Sequence, residues 1–221
     1  MGKLGPAARV PAKPLGEDGI LNQNPIFEMG SKNNRSGFTV YRSLLQKGEI
    51  EVMDSESLLK DKIVLAVDDE VDVTDTIVEV LDMCLVRKAN DYETARQLLM
   101  SYTFDIVILD IMGVNGFELL KTSVKRGFPT VMLTAYALTP EALEKSIKLG
   151  AVSFLPKEKM SELDEFLADV VLKGGQPVWE KLFDKLGGFF NTRFGPDWKQ
   201  RNQFFEDFEQ SLNQSKQEDS G

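Results

Sequence analysis

The feature that most constrains the fold is a regular alternation of short apolar runs and amphipathic helical patterns between residues 62 and 172. Runs such as Lys62–Val67 and Phe104–Leu109 are rich in Val, Ile and Leu, which suits strands buried on both faces of a sheet. Five strands are predicted at 62–67, 85–89, 104–109, 130–133 and 152–155, and five helices at 74–83, 91–101, 116–125, 139–149 and 161–172. Alternation of this kind favours a parallel sheet with right-handed crossovers and helices on both faces. The predicted fold class is α/β, with a five-stranded, doubly wound parallel sheet.

Residue types that favour helix termini mark three of the predicted helices. Asp91, Thr139 and Ser161 are predicted N-caps, because their side chains can accept a hydrogen bond from a backbone amide of the first helical turn. Pro140 suits the first position of the helix that Thr139 opens, and Gly150 suits the residue after its end.

The N-terminal flank differs from this block in composition. Residues 1–25 contain four of the nine prolines and show no apolar period, which is typical of a flexible arm. The apolar content rises from about residue 37, so residues 37–60 are predicted to form a short helix or a hairpin that packs on the main domain. The N-terminal extension is therefore placed at residues 1–60.

The C-terminal flank is rich in aromatic side chains, with nine of the twenty in residues 173–221. Two apolar stripes at helical spacing are Trp179, Leu182, Phe183 and Leu186, then Trp198, Phe204, Phe205, Phe208 and Leu212. They are separated at Gly187-Gly188 and at Gly195-Pro196, where helix breaks are expected. The predicted organisation is an extension at 1–60, a domain at 61–172, and a helical extension with a polar tail at 173–221.

Composition excludes several classes of site. The chain has no histidine, so it contains no Ser-His or Cys-His nucleophile pair, no His-ligated zinc and no phosphohistidine. Its single cysteine, Cys84, cannot close an internal disulfide, which favours a reducing, cytoplasmic location. Residues 61–172 carry the whole formal charge of −9, so attraction to nucleic acid or to an anionic membrane is not expected. No apolar run approaches the ~20 residues that a membrane-spanning helix needs.

Polar side chains that could carry chemistry follow four of the predicted strands. The first strand runs into Asp68, Asp69 and Glu70, the third is followed by Asp110, the fourth by Thr134 and the fifth by Lys157. Because the carboxyl ends of parallel strands meet at one edge of a sheet, carboxylates, a hydroxyl and an ammonium should converge there. Close carboxylates repel each other and are best reconciled by a hard divalent cation, with Mg²⁺ the best candidate. A metal-bound carboxylate beside a lysine and a threonine is suited to accept a phosphoryl group.

Each of these residues alone is weak evidence for a site. An Asp-Asp pair after a strand is more often a helix cap, a threonine there is commonly structural, and a single lysine is usually solvated. The prediction depends on the combination, in which each residue type follows the appropriate strand in chain order.

Over about Lys62–Leu172, roughly half of the chain, the sequence resembles the receiver domain of two-component response regulators. The matching motifs are VDDE at Val67–Glu70, ILDIM at Ile108–Met112, GFELL at Gly116–Leu120, MLTA at Met132–Ala135 and FLPK at Phe154–Lys157. The resemblance implies a flavodoxin-like fold and a site for aspartate phosphorylation.

The resemblance implies a metal-binding set of four residues. Asp68 and Asp69 correspond to the acidic pair that holds Mg²⁺ in this family. Asp110 corresponds to the phosphoacceptor, which is also a metal ligand, and the main-chain carbonyl of Met112 would supply another oxygen.

The resemblance also implies a switch. Thr134 and Phe154 correspond to the switch hydroxyl and the switch aromatic residue. Lys157 corresponds to the lysine that pairs with the acceptor carboxylate or with its phosphoryl group. Asp110, Thr134 and Lys157 would together carry the chemistry of phosphorylation.

By resemblance, the chain is a stand-alone, chemotaxis-type receiver that takes its phosphoryl group from a cognate sensor histidine kinase. It is expected to signal by a protein–protein contact with an unknown downstream partner, and to be a signalling protein rather than an enzyme, although it assists its own phosphorylation and dephosphorylation. Residues 173–221 are nearly neutral and lack a basic helix-turn-helix pattern, so no DNA-binding output and no nucleic acid partner are expected. The aromatic stripes there either pack on the receiver of the same chain, or form a homodimer or dock a partner.

Three features depart from the family pattern. The stretch from Asp110 to Thr134 is compact, which predicts a short third helix. The loop after Asp110 is shorter than usual and lacks its proline, and a proline precedes Lys157 instead of following it. Two further function classes remain as alternatives: a degenerate receiver that acts as a constitutive binding module, and a phosphatase of the haloacid dehalogenase type. The intact set of site residues disfavours the first. The second is disfavoured because the acidic pair precedes Asp110 and Met112 stands where that class has its second aspartate.

Overall fold

A five-stranded parallel sheet forms the centre of the protein. The computed structural model describes residues 40–44, 50–135 and 137–218. In chain order its elements are β1 (Val40–Leu44), β2 (Ile50–Asp54), α1 (Ser55–Leu59), β3 (Ile63–Val67), α2 (Val71–Val80), β4 (Leu85–Ala89), α3 (Tyr92–Ser101), β5 (Ile106–Asp110), α4 (Gly116–Lys125), β6 (Thr130–Thr134), α5 (Pro140–Lys148), β7 (Ser153–Pro156), a 3₁₀ turn (Lys157–Glu162), α6 (Leu163–Leu172), α7 (Trp179–Phe194) and α8 (Gln203–Glu218). The sheet order is β4-β3-β5-β6-β7, and all neighbouring pairs are parallel. The prediction of a doubly wound, flavodoxin-like α/β fold is confirmed.

Burial along the strands explains their sequences. Every residue of β5 and β6 is buried, which accounts for continuous apolar runs instead of an alternating pattern. β4 lies at one edge of the sheet, and its first residue, Leu85, is exposed. β7 lies at the other edge, yet all of its residues are buried. The two edges of the sheet are therefore in different environments.

Strand register brings the carboxyl ends of β3, β5, β6 and β7 to one edge of the sheet. Val67 of β3 lies opposite Leu109 of β5, and the next residue of β5, Asp110, lies opposite Leu133 of β6. Thr134 then lies opposite Pro156, the last residue of β7. Polar residues at or just after these positions therefore share one edge.

Two of the predicted helix caps are confirmed. The Asp91 side chain accepts a hydrogen bond from the Thr94 amide at 2.8 Å, and the Thr139 side chain accepts one from the Ala142 amide at 3.2 Å. The prediction that Ser161 caps the last helix of the sheet domain is wrong. The chain enters a 3₁₀ turn directly after β7, so Ser161 lies inside that turn and α6 begins later, at Leu163.

Two predicted helix boundaries are also wrong. α2 begins three residues before the predicted start, because the carbonyl of Glu70 accepts hydrogen bonds from the amides of Val73 and Thr74. α7 runs through Gly187-Gly188 without a break. Each glycine costs a helix about 1 kcal/mol, but the neighbouring apolar residues of α7 are buried against the sheet domain, and this packing outweighs that cost.

Of the N-terminal extension, the structure describes residues 40–44 and 50–60. β1 and β2 pair antiparallel, as the hairpin alternative predicted, and α1 follows them directly. α1 contacts α6, where the Ser55 hydroxyl donates a 2.6 Å hydrogen bond to Asp164. The predicted flexible arm at residues 1–25 lies outside the described residues, so it remains a prediction.

α7 and α8, the C-terminal helix pair, pack on the sheet domain and share its apolar core. Buried side chains from both helices belong to the same cluster as the sheet residues: Trp179, Leu182, Leu186, Phe190 and Phe205, with Trp198 from the connection between the helices. Of the two alternatives for the aromatic stripes, packing on the same chain is the one seen. No helix in the described part of the chain is long and apolar enough to cross a membrane.

Replacing Thr139 with Ala should lower the free energy of unfolding by about 1 kcal/mol, because the first turn of α5 loses its capping acceptor. Thr139→Ser keeps the hydroxyl and should unfold close to wild type. Urea denaturation of the three proteins measures the difference. An alanine variant as stable as the serine variant would show that the cap contributes nothing.

Candidate functional site

The predicted site residues meet at the carboxyl edge of the sheet. Asp68 directly follows β3, and Asp110 is the last residue of β5. Thr134 ends β6, and Lys157 directly follows β7. Sheet topology therefore places two carboxylates, a hydroxyl and an ammonium group at one edge, from four strands that lie side by side.

The Lys157 ammonium joins the carboxylates of this edge. Its Nζ lies 2.7 Å from Asp68 Oδ2, 2.9 Å from Glu70 Oε1 and 3.3 Å from Asp110 Oδ1. Asp68 is fully buried, Asp110 is 3% exposed, and the Lys157 side chain is 11% exposed. Ion pairs that are this far removed from water interact much more strongly than surface pairs.

Burial raises the pKa of the two buried carboxyl groups at this edge, those of Asp68 and Asp110. Burial raises the pKa of Asp110 to about 6, against the opposing effect of the Lys157 charge. Burial also raises the pKa of Asp68, again opposed by its hydrogen bond with Lys157. Burial alone would lower the pKa of Lys157, but its hydrogen bonds to Asp68 and Glu70 more than compensate and raise it. At pH 7 Asp110 is therefore mostly a carboxylate, the form that can act as a nucleophile.

Two residues that were not assigned a role from the sequence hold this arrangement in place. Glu70 gives Lys157 an exposed partner, and its backbone amide donates a 3.1 Å hydrogen bond to Asp68 Oδ1. Asn90 Nδ2 donates to the carbonyl of Asp68 at 2.7 Å and to the Thr74 hydroxyl at 3.2 Å. Asn90 directly follows β4, the one strand whose carboxyl end was not considered in the prediction. Its position after a strand could therefore have identified it as a residue of this edge.

The loop after Asp110 passes very close to Asp69. Gly113 has a φ of +60°, and a Cβ atom placed on it would lie 2.0 Å from Asp69 Oδ1. Gly116 is equally confined, because a Cβ there would lie 1.9 Å from the carbonyl oxygen of Asp110. Both positions, one in the loop and one at the start of α4, therefore need glycine.

Met112 occupies an exposed part of this loop. Met112 is 54% exposed, and its backbone amide acts to lower the pKa of the Asp110 carboxyl group. Its carbonyl oxygen accepts a hydrogen bond from the amide of Val114 within a tight turn. The structure thus places the backbone of Met112 beside Asp110, with the carbonyl engaged in the turn.

The two predicted switch residues lie on the same face of the sheet. Phe154 of β7 lies opposite Met132 of β6. Thr134 is two positions after Met132 on β6, and alternate residues of a strand point to the same face. Both side chains are fully buried. The Thr134 hydroxyl oxygen accepts a 3.2 Å hydrogen bond from the backbone amide of Ala137, in the segment that leads to α5.

The side chains at this edge fit a hard divalent cation by their chemistry and charge. Three carboxylates, those of Asp68, Glu70 and Asp110, pair with the single ammonium group of Lys157, which leaves excess negative charge. Asp68 Oδ2 is buried and has Lys157 as its close charged neighbour. Among the described residues, no three acidic or cysteine side chains already enclose a metal position. Carboxylate oxygens are nevertheless the donors that Mg²⁺ prefers.

Replacing Gly113 with Ala should destabilise the protein more than replacing Gly174 with Ala. The two glycines have φ values of +60° and +61°, so both variants carry the same backbone strain of about 1–2 kcal/mol. Only at Gly113 would the new methyl group clash with Asp69, since nothing lies within 4 Å of the corresponding position at Gly174. Urea denaturation compares the two losses. Equal losses would contradict the close approach of the loop to Asp69.

Comparison with known proteins matches the sheet domain to a family. The family model described as the response regulator receiver domain matches residues 64–168. A probable transcriptional regulator of Pyropia yezoensis is 34% identical over 96 residues, which cover 38% of this chain and 43% of that protein. The probable transcriptional regulatory protein SilR of Salmonella typhimurium is 38% identical over 77 residues, covering 33% of each chain. The chain spans less than half the length of these curated relatives.

Solved structures of receivers resemble the same part of the chain. A response regulator from Thermotoga maritima aligns with a TM-score of 0.46 and 21% identity, covering 50% of this chain and 98% of that one. The chemotaxis protein CheY4 of Vibrio cholerae aligns with a TM-score of 0.45 and 28% identity, covering 48% and 96%. By the family match, residues 64–168 of this chain belong to the receiver domain family of response regulators.

Proposed function

We propose that this protein accepts a phosphoryl group on Asp110, with Mg²⁺, and signals through a phosphorylation-dependent contact with another protein. The observation that carries the proposal is the Lys157 ammonium, which lies 2.7 Å from the buried Asp68 and 3.3 Å from Asp110 at the carboxyl edge of the sheet. Receiver domains interact with histidine kinases and with downstream proteins, and the family match extends that general role to this chain.

Asp110 is the nucleophile in this proposal. One oxygen of its carboxylate forms a bond to phosphorus while the bond from phosphorus to the donor breaks, and the electron pair of that bond leaves with the donor. As in the receiver family, the donor is a phosphohistidine of a cognate sensor kinase. The phosphohistidine must belong to another protein, because this chain has no histidine of its own. Lys157 neutralises charge on the transferred group, and the Thr134 hydroxyl donates a hydrogen bond to a phosphoryl oxygen.

Asp68, Asp69 and Asp110 would hold Mg²⁺ through their carboxylates, with the main-chain carbonyl of Met112 as a further ligand. When bound, the cation neutralises charge on the phosphoryl oxygens. Gly113 supports this assignment, because it allows the loop to pass beside Asp69 without displacing the Asp69 carboxylate. Glu70 contributes negative charge and an alternative partner for Lys157.

Thr134 and Phe154 are the proposed switch. The Thr134 hydroxyl bonds the Ala137 amide while Asp110 is unmodified, and it would leave that bond to reach the phosphoryl group. Phe154 packs on the same face of the sheet and would respond to the space that Thr134 vacates. Phosphorylation would thereby bias the protein between two arrangements of β7 and its flanking helices.

The proposed output is a protein contact, with no role for nucleic acid or a membrane. Residues 61–172 carry the net negative charge and residues 173–221 are nearly neutral, so neither part attracts a polyanion. The signalling role, without enzymatic output, follows the receiver family. A homodimer through residues 173–221 would require the C-terminal helix pair to leave its place on the receiver.

The two alternatives are less well supported by the site. A constitutive binding module does not need the buried set of Asp68, Asp110 and Lys157 at one edge. A phosphatase of the haloacid dehalogenase type needs a second carboxylate two positions after its nucleophile, where this chain has the exposed Met112.

Asp110→Asn should abolish phosphorylation by a small-molecule phosphodonor in the presence of Mg²⁺, because an amide is a poor nucleophile. Mass spectrometry of the intact protein and of its peptides measures and locates the label. Asp82→Asn is the matched control, since Asp82 is an exposed carboxylate of the same domain, and it should label as wild type does. Full labelling of the Asp110→Asn variant would refute the proposal.

Asp69→Ala should raise the Mg²⁺ concentration needed for half-maximal labelling of Asp110. Loss of an outer-shell partner already costs metal sites roughly 10- to 100-fold in affinity, and loss of a ligand should cost at least as much. Asp72→Ala removes an exposed carboxylate from the first turn of α2 and serves as the control. If both variants show the same Mg²⁺ dependence as wild type, Asp69 is not a ligand.

A further inference from the structure

One face of the receiver is covered by the protein's own C-terminal helices. This face consists of α5, β7 and α6 and is called here the α5–β7–α6 face. β7 is an edge strand, yet all of its residues are buried, and α7 contacts it. The amide of Val178 donates a 2.9 Å hydrogen bond to the carbonyl of Val152, just before β7. An edge strand of a parallel sheet that is covered in this way is not available for pairing with another chain.

A buried carboxylate on α6 specifies where α7 sits. Asp169 is 3% exposed, and its two oxygens lie 2.6 Å from Lys181 Nζ and 3.0 Å from Lys185 Nζ. Lys185 also lies 3.7 Å from Glu165, one turn earlier on α6. Removing one partner of a buried ion pair leaves an uncompensated charge, which is strongly destabilising. The position of α7 on α6 is therefore fixed by charge as well as by apolar packing.

Contacts at the other end of the face tie α8 to α5. Asn202, directly before α8, donates a 2.7 Å hydrogen bond from Nδ2 to Glu144 Oε2 on α5. Lys148, one turn further along α5, lies 4.8 Å from the centre of the Phe204 ring, and it also pairs with Glu144. These contacts are polar and partly exposed, so they stabilise the position of α8 less than the ion pairs of the buried Asp169 stabilise the position of α7.

A continuous set of contacts joins this end of the helix pair to the phosphorylation site. Thr134 accepts a hydrogen bond from the Ala137 amide, and Ala137 lies in the segment that leads directly into α5. If Thr134 turns toward a phosphoryl group on Asp110, that hydrogen bond breaks and the start of α5 is free to shift. A shift of α5 displaces Glu144, to which Asn202 is bonded.

We infer that the C-terminal helix pair is the receiver's own effector: it covers the α5–β7–α6 face while Asp110 is unmodified, and phosphorylation loosens α8 from α5. The inference rests on the proposed phosphorylation of Asp110. The Asn202–Glu144 contact belongs to the unmodified state, so a modification that favours the other arrangement of α5 must weaken it. The part of α5 that α8 covers then becomes accessible to a second protein only after phosphorylation.

Tryptophan fluorescence of the full chain can report the loosening of α8 from α5. The protein has two tryptophans, Trp179 and Trp198, and both are buried within the helix pair and its connection. The Trp179 ring lies 6.5 Å from that of Phe208, and the Trp198 ring lies 4.7 Å from that of Phe205, so loosening α8 exposes both indoles. Phosphorylation with Mg²⁺ and a small-molecule phosphodonor should shift tryptophan emission to longer wavelength. Amide exchange in residues 203–212 should become faster by about 5- to 150-fold, the usual range of coupling between sites.

The possible outcomes distinguish the loosening of α8 from the phosphorylation of Asp110 on which it rests. Label on Asp110 with unchanged emission and unchanged exchange overturns the inference and leaves the proposed function intact. Absence of label overturns both. Label accompanied by red-shifted emission and faster exchange supports both.

A reciprocal experiment tests the coupling from the other side. Asn202→Asp should loosen α8 from α5 without phosphorylation, because a carboxylate cannot donate to Glu144 and repels it, while it can still accept the hydrogen bond from the Phe204 amide. Reciprocity then requires this variant to bind beryllofluoride, a reversible mimic of the phosphoryl group, more tightly than wild type. Gln210→Ala removes an exposed side chain from α8 and should leave both emission and affinity unchanged. A folded Asn202→Asp variant with red-shifted emission and unchanged beryllofluoride affinity would overturn the coupling.

Discussion

The structure depends on one ammonium group placed among carboxylates at the carboxyl edge of a parallel sheet. Asp68 and Asp110 are buried at the ends of β3 and β5, and two like charges in such a place are costly unless a cation lies between them. Lys157 supplies that cation because it is the first residue after β7. Lys157 is also the first residue of a 3₁₀ turn, and its ammonium group forms a further ion pair with the exposed Glu70. The arrangement is stable without modification, yet it retains negative charge that can attract Mg²⁺.

The C-terminal helix pair lies outside α5 and α6 and adds further helices to this side of the receiver. α6 is in contact with α1 on the N-terminal side through Ser55 and Asp164, and with α7 through Asp169 and two lysines. Apolar residues of the helix pair belong to the same core cluster as the sheet, so the extension contributes to folding stability. The contacts are graded: α7 is held by a buried charge, whereas α8 is held to α5 by partly exposed polar groups. A graded attachment of this kind allows one helix to move while the other stays.

The sheet and the central site residues could be predicted from the sequence because both depend on local, repeated signals. Apolar runs ending in polar residues determined the positions of Asp68, Asp110, Thr134 and Lys157, and side-chain caps identified the start of α5. Features that depend on tertiary context were not predictable in this way. The continuation of α7 through Gly187-Gly188 depends on packing against the receiver, and the need for glycine at position 113 depends on Asp69, far away in the chain. Asn90 lacked a recognisable motif, although it follows a strand end.

The most direct test of the central claim is a crystal structure of the full chain with Mg²⁺ and beryllofluoride. The account predicts beryllium bonded to a carboxylate oxygen of Asp110, with Lys157 Nζ moved from Glu70 to a fluorine atom. The Thr134 hydroxyl should also have left the Ala137 amide for a fluorine atom. Beryllofluoride bound elsewhere, or bound to Asp110 with Lys157 still paired to Glu70 and Thr134 still bonded to Ala137, would contradict the account.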